Sequence, residues 1–584
     1  MKKHYLFFIA LYIGFGLVSI QAQEKQIQIV YGGNFTKDET QFPGASIFSK
    51  DDKQVQFNHE GADLWCDVAI FYPAENRIKA KGNITLIQGD SIFMNAGSLD
   101  YNGVSQLAKA WRQVSLRSSE MTLTPQDTLY FDRLKQEAYY TQKGTIVDAQ
   151  NTLTSDIGRY YLNAKKYQFL SQVEIVNPEY KLRSTHLNYY TNTKNAYMYG
   201  PSTIYGKDYT FYCERGFYNT IVESGYGIKN TKINYNNRVI KGDSVYFNKR
   251  RQFASATNNI TVTDTINKGV IRAHYAEVFK AKDSVFATKK AVSISLIEKD
   301  SLYMHGDTIM LTGKPEARIL RAFRDAKFYK TDLSGKCDSI HFNQKTGLTQ
   351  LINRPIIWNG ENQMTGDIIH LKSDPKTKSL DSLKVLNNAF IVAMDTIRRE
   401  GYNQAKGKDM FGVFEKNALR FLNLIKNTEL IYYLYDGDQE LMGINKTICS
   451  EIAIEMVQNE ISEITFITAP DGTIYPLAEL PEIDRKLEGF LWFGSERIRN
   501  KEDIFDLEDL NVKLVKINGL KNDIDIESLE KEQLNTFKAK DSDAAKVKTQ
   551  NPTPDITKNT SKTQNKEPSK VKQNTPNITT DSKE

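Results

Sequence analysis

The sequence predicts an all-β protein, an elongated repeat array of short antiparallel strands with a disordered C-terminal tail. Three observations lead there. Apolar residues alternate with polar ones at period two through most of the chain, the mark of strands with one buried face. Tyr and Phe, which sheets favour, are abundant at 31 and 29 of 584 residues. One phrase also recurs at steps of roughly 29 residues.

The phrase is a Gly/Cys-Asp-Ser-like lead, then apolar–any–aromatic, then Asn or Asp. It appears as Gly97-Ser98-Leu99-Asp100-Tyr101-Asn102 and as Asp127-Thr128-Leu129-Tyr130-Phe131-Asp132. It returns around Leu187 and Tyr189, at Gly216-Phe217-Tyr218-Asn219, and as Gly242-Asp243-Ser244-Val245-Tyr246-Phe247-Asn248. Later copies are Cys337-Asp338-Ser339-Ile340-His341-Phe342-Asn343 and Gly366-Asp367-Ile368-Ile369-His370-Leu371. Each copy has a second half, such as Asn259-Ile260-Thr261-Val262, Asn388-Ala389-Phe390-Ile391-Val392 or Glu429-Leu430-Ile431-Tyr432-Tyr433. Lys194-Asn195, Asn236-Asn237 and Asp471-Gly472 read as turns. One such unit cannot bury its apolar face alone, whereas stacked units bury a continuous strip and leave edges at both ends. A plain β-sandwich would also alternate, but it would not keep the order of lead, aromatic and Asn.

The ends differ from the body. Lys2 and Lys3 precede an apolar run from Tyr5 to Ile20, and Ala22 suits a cleavage site, so residues 1–22 read as a signal peptide. The run is short for a membrane span and no basic stop-transfer flank follows. Residues 401–510 read as altered repeats closed by a C-terminal cap: Gly407 to Phe414 aligns with Gly366 onward, and Cys449 to Ile454 gives a further copy. Leu480-Pro481-Glu482-Ile483-Asp484-Arg485 and Phe490-Leu491-Trp492-Phe493 are then expected as a short helix and a closing strand. Residues 531–584 are rich in Lys, Thr, Asn, Ser and Pro, too polar to order themselves.

Bulk charge and motifs exclude several functions. Without Lys2 and Lys3, 75 basic residues face 71 acidic ones, a net charge of +4. That is too weak an excess for nucleic-acid binding. Cys66, Cys213, Cys337 and Cys449 lie too far apart for a zinc motif and read as isolated buried thiols. No nucleophile elbow, dinucleotide fingerprint, P-loop or metalloprotease motif occurs. His274, His305, His341 and His370 share similar repeat phases, as do Asp127, Asp243, Asp338 and Asp367. The aspartates read as strand leads that satisfy turn amides, rather than as a calcium or lyase ladder. No enzyme activity, cofactor or metal is expected.

The segment Ala80-Lys81-Gly82-Asn83-Ile84-Thr85-Leu86-Ile87-Gln88-Gly89-Asp90, followed by Leu99 to Asn102 and a strand near Ala110 to Leu116, carries a family pattern. It resembles the OstA-like family, the periplasmic proteins of lipopolysaccharide transport. The likeness is best over about residues 25–180, within a domain drawn at 23–180, and looser over 181–400. Residues from Gly407 to Asp506 resemble the tail of the long OstA-like proteins of Bacteroidetes. The resemblance implies a β-jellyroll, or folded-over sheet, whose apolar groove shields lipopolysaccharide acyl chains in the periplasm. It also implies partners: an outer-membrane assembly barrel, inner-membrane transport components, and further copies joined through edge strands. The groove residues expected are Leu99 and Tyr101, Leu129 and Phe131, Leu187 and Tyr189, Val245 and Phe247, and Ile340 and Phe342. For each of them ordinary core packing is the competing role. This chain is much longer than a minimal bridge protein of that family, and after residue 400 there is no room for a barrel. A closed β-solenoid adhesin or envelope scaffold, or a carbohydrate-active β-helix enzyme, remain alternatives.

Overall fold

The computed structural model describes residues 26–520 apart from residues 91, 236, 298, 417, 458 and 459. The expected signal peptide and polar tail lie outside the described residues. Within them the chain forms one antiparallel 42-stranded sheet.

The sheet is folded along its length into two walls. Strand Arg77–Gln88 shows how. Residues 77–81 pair with Val68–Tyr72, whereas residues 85–88 pair with Ala62–Cys66. Between them the register shifts at Lys81/Ile84, where Gly82 and Asn83 both adopt positive φ. A Cβ on Gly82 would sit 2.7 Å from Asp67 Oδ2, so glycine is required at this corner. Equivalent corners carry paired left-handed residues at Arg112-Gln113, Ser171-Gln172, Lys229-Asn230, Asn258-Asn259, Asn353-Arg354 and Asn387-Asn388. Asn tolerates that conformation better than most residues. The recurring Asn at the start of each second half is therefore a corner residue. The first wall runs from Val55–His59 and Ala62–Cys66 through Met121–Pro125 and Val292–Ile297 to residues 441–449. The second wall runs from Ser46–Ser49 and Val68–Tyr72 through Thr128–Asp132 and Leu348–Ile352 to Glu460–Ile467.

Inward residues of the two walls meet in two long apolar clusters, one from Ile27 to Tyr218 and the next from Ile240 to Met456. The ladder is unbroken near residues 180 and 400: Tyr180–Tyr190 pairs on both sides, and Leu380–Met394 pairs with Tyr402–Glu415. The strands are not all short, however. The four from Leu380 to Val457 span 14 to 18 residues, because each runs through both walls without a break. The turn expected at Asp471-Gly472 lies earlier, at Thr468-Ala469, and Asp471–Tyr475 is a strand paired with residues 444–448.

After Tyr475 the expected short helix is present as one turn, and the expected closing strand is not formed among the described residues. Glu482–Arg485 is a single 3-10 turn, and Phe490 to Phe493 joins no sheet. The chain instead runs back as a strap along the outer face of the first wall. Gln404 receives a bond from Leu487 N and donates to Arg485 O, at 2.9 and 2.8 Å. Gln363 receives one from Phe493 N and donates to Leu491 O, at 2.7 and 2.8 Å. Asn258 clamps the N and O of Val515 in the same way. These buried amides stand in for a strand partner. Apolar outward residues complete the seat, with Phe390, Val392, Ile431 and Tyr433 under Leu480 and Leu487.

Candidate functional site: the space between the walls

The two walls enclose different interiors along the chain. Up to about residue 235 the space is filled by rings. Tyr101, Phe131, Tyr140, Tyr167, Phe169 and Phe211 are all buried there. Tyr160 stacks on Tyr167 at 4.7 Å between centroids, and Tyr167 on Phe169 at 5.8 Å.

Between residues 238 and 380 buried rings become scarce: among the described residues Phe328 is the one in this stretch of core. Ala256, Ala273, Ala276, Ala287, Ala322 and Ala326 belong to this stretch of core. An apolar cavity opens here with about 1740 Å³ of empty space, the solvent at its mouth included. Val262, Ile271, Met304 and Phe328 line it from the first wall, and Leu320 and Leu371 from the second. A smaller space of about 350 Å³ follows between Ile391, Leu430 and Ile454.

All ten expected groove residues face inward from the second wall. The first of each pair lies close to the corner, so Leu99, Leu129, Leu187, Val245 and Ile340 are fully buried. The second lies nearer the open edge. Tyr101, Phe131 and Tyr189 are buried there, while Phe247 and Phe342 are half-buried. Only Ile340 and Phe342 of the ten line the cavity. Leu99, Tyr101, Leu129, Phe131, Leu187 and Tyr189 are packed in the filled stretch, and Val245 sits in the core beside the cavity. Phe247 closes the boundary, 5.0 Å from Phe211 and 5.8 Å from Tyr218.

The edges opposite the corners form two lips, and polar side chains stitch them together. Arg133 of the second wall spends all three guanidinium nitrogens on Gln88 Oε1, Tyr101 Oη and Glu60 O, at 2.9, 2.6 and 3.0 Å. Lys165 reaches Glu120 at 3.2 Å, Lys249 reaches Glu179 at 2.7 Å, and Lys280 reaches Asp208 at 3.5 Å. The last stitch in the series is Arg318 to Asp264 at 2.7 Å. Beyond Arg318 no ion pair joins the lips among the described residues. Lys330 pairs with Asp332 on its own wall, at 2.6 Å.

The last stitch is unusually charged. Burial would raise the Asp264 carboxyl, yet bonds from the Asn267 amides, the Arg318 charge and Asn237 hold it below the usual carboxylate range. Burial, reinforced by the neighbouring Arg238 charge, holds the Arg318 guanidinium below its ordinary value despite Asp264.

The other sequence candidates do not converge. Asp243 and Asp367 accept bonds from the corner side chains of Asn259 and Asn388, at 2.8 and 3.0 Å. Asp127 and Asp338 accept from Thr128 and Ser339 beside them. His305 donates from Nδ1 to Ala291 O and lies 3.0 Å from Asp509 of the strap, while His370 faces Gln350. No group of three or more His, Cys, Asp or Glu is placed to hold a metal ion among the described residues. The four cysteines are separate and buried, and burial pushes the thiols of Cys66, Cys213 and Cys337 up to about 12. No helix of the described residues is long and apolar enough to cross a membrane.

The family model described as OstA-like protein matches residues 34–185. This stretch of the chain is OstA-like. It holds the first corners of the folded sheet and most of the filled interior, and the unit it begins recurs to Tyr475. Among solved structures, the chain is similar to LptH, the LptA-homologous periplasmic component of the conserved lipopolysaccharide transport device from Pseudomonas aeruginosa. The identity is 15%, over 25% of this chain and 99% of that one, with a TM-score of 0.20, too low for the likeness to carry weight. No curated protein matches. Sequence reasoning missed the lip stitches, the cavity-lining residues of the first wall and the strap. The unbroken apolar runs Phe390-Ile391-Val392 and Leu430-Ile431-Tyr432-Tyr433 were the available signal for the strap, since a strand covered on both faces does not alternate.

Proposed function

We propose that this chain binds lipopolysaccharide in the periplasm and carries it towards the outer membrane, shielding its acyl chains between the walls. The single observation that carries the reading is the apolar cavity of residues 238–380, inside a folded sheet whose first part is OstA-like. Each acyl CH2 moved from water into such a space contributes about 0.8 kcal/mol. Beyond Arg318 no ion pair crosses the mouth among the described residues, and the neutral bond from Gln344 to Asn267 is the weaker closure there, which gives sugars a route to water while the chains stay inside. The exposed edges at the two ends suit pairing with an outer-membrane assembly barrel, inner-membrane components or another copy. The role is binding and transfer without catalysis.

Full-length protein purified without detergent and analysed by native mass spectrometry tests this. The expected result is a co-purified glycolipid that carries several acyl chains. Protein free of lipid, and unable to take it up from added lipopolysaccharide, would contradict the reading. The filled interior before residue 235 favours a second role for that stretch alone, as a rigid spacer.

A further inference from the structure

We propose that Arg238 and Arg318 form an oxyanion site at the mouth of the cavity, which takes the phosphate of an amphiphile whose chains lie between the walls. The inference rests on the lipid-binding reading above and adds the group that is recognised.

Both guanidinium side chains line the cavity. Arg318 is 4% exposed and Arg238 is 8% exposed. The acid hydrogen-bonded beside them is Asp264, the cross-strand partner of Arg238, whereas Asp283 and Glu316 reach Arg318 only through their charge. That carboxylate is already saturated. Its Oδ1 accepts from Asn237 Nδ2, Ile266 N and Asn267 N, at 2.9, 3.0 and 3.1 Å. Its Oδ2 accepts from Asn267 Nδ2 at 3.1 Å and from Arg318 Nη1 at 2.7 Å. A carboxylate offers about four lone-pair positions, so nothing remains for Arg238. The one carboxylate that bonds to Arg318 is therefore fully used.

Arg318 also has spare donors. Its Nε and Nη2 are buried and have no partner among the described residues. These two nitrogens form the edge that grips an oxyanion side-on. Arg77 uses the same edge on Asp100, with Nε and Nη2 at 2.8 and 2.6 Å from the two carboxylate oxygens. The sealed stretch offers the contrast, since Arg133 has all three of its nitrogens bonded. Leaving a buried cation uncompensated is costly, and a bound phosphate would remove that cost. The apolar wall next to the site, with Val262 and Leu320, fits the chains of the same molecule.

The test uses the full-length chain and three probes: lipid A with its phosphates, the same lipid A with the phosphates removed, and inorganic phosphate. Arg238→Gln removes a side chain with no hydrogen bond among the described residues. It should weaken phosphorylated lipid A by about tenfold, the loss of one charge-assisted contact. Dephosphorylated lipid A should bind wild type and variant alike. Arg318→Lys keeps the charge but removes the gripping edge, and should weaken the phosphorylated lipid in the same way while the melting temperature holds. Equal affinity of the wild type for both lipids, or an equal loss on both, would overturn the site. Arginine-dependent binding of inorganic phosphate without preference between the lipids would assign it to a free phosphate and overturn the amphiphile. Failure of the wild type to bind either lipid would overturn the lipid-binding reading itself, a separate outcome.

Discussion

The stretches before residue 235 and from residue 238 to 380 share corners, wall order and repeat phrase, yet one has a core and the other a cavity. Residue size at inward positions decides between them. Rings such as Phe131, Tyr140 and Phe169 span the gap in the first stretch, while in the second Phe328 is the buried ring of the core, and aliphatic residues with Ser293 and Ser295 line the open space. The lips divide at a different place: ion pairs cross them as far as Arg318, inside the second stretch, and beyond it a neutral bond joins Gln344 to Asn267. A repeat fixes the distance between walls, and side-chain volume then fills or leaves the space.

The comparison breaks most visibly if large inward residues are cut in both stretches. Phe131→Ala should cost about 3–5 kcal/mol, because its side chain is fully buried among close neighbours. Phe342→Ala, at the half-buried cavity wall, should cost much less than that. Chemical denaturation of both variants checks the ratio, and equal losses would mean that the second stretch is filled too.

Next in size is the strap, which follows the outer face of the first wall from residue 446 down to residue 258. Gln404→Ala leaves the N–H of Leu487 and the C=O of Arg485 without partners, at about 1–3 kcal/mol. Hydrogen exchange should quicken in the strap and the strands under it, and stay unchanged before residue 235.

The Arg318–Asp264 stitch gives a pH dependence. Because the folded carboxyl is held low, its contribution is present above the unfolded value near pH 4 and is lost as pH falls through the folded value. Cysteines placed on the two lips beside the stitch, at exposed Ile266 and Lys345, should separate in acid by spin-label distance. In Asp264→Asn that acid step should vanish. The smallest effect is expected from Lys249→Ala, an exposed stitch of the closed stretch. It should cost no more than about 1 kcal/mol and should not open the aromatic core behind it.

Much of this was legible from residues. Alternation and the phrase around Leu99, Leu129, Val245 and Ile340 marked residues that face inward from the second wall, and the first of each pair is buried. The Asn at positions 259 and 388 marked a change of direction, although a single sequence did not distinguish a corner between walls from a hairpin turn. The cavity was hidden because it depends on which residues of the first wall face Ile340 and Phe342, and that opposition is tertiary. The strap was hidden because its clamps join residues 83, 130 and 257 positions apart, outside any repeat period.

A photo-crosslinking residue placed at Phe342, and separately at Phe131, tests the central claim most directly. In protein loaded with lipopolysaccharide, the account predicts strong capture at Phe342, in the cavity, and none at Phe131, in the filled stretch. Equal capture at the two positions, or capture at Phe131 alone, would contradict it.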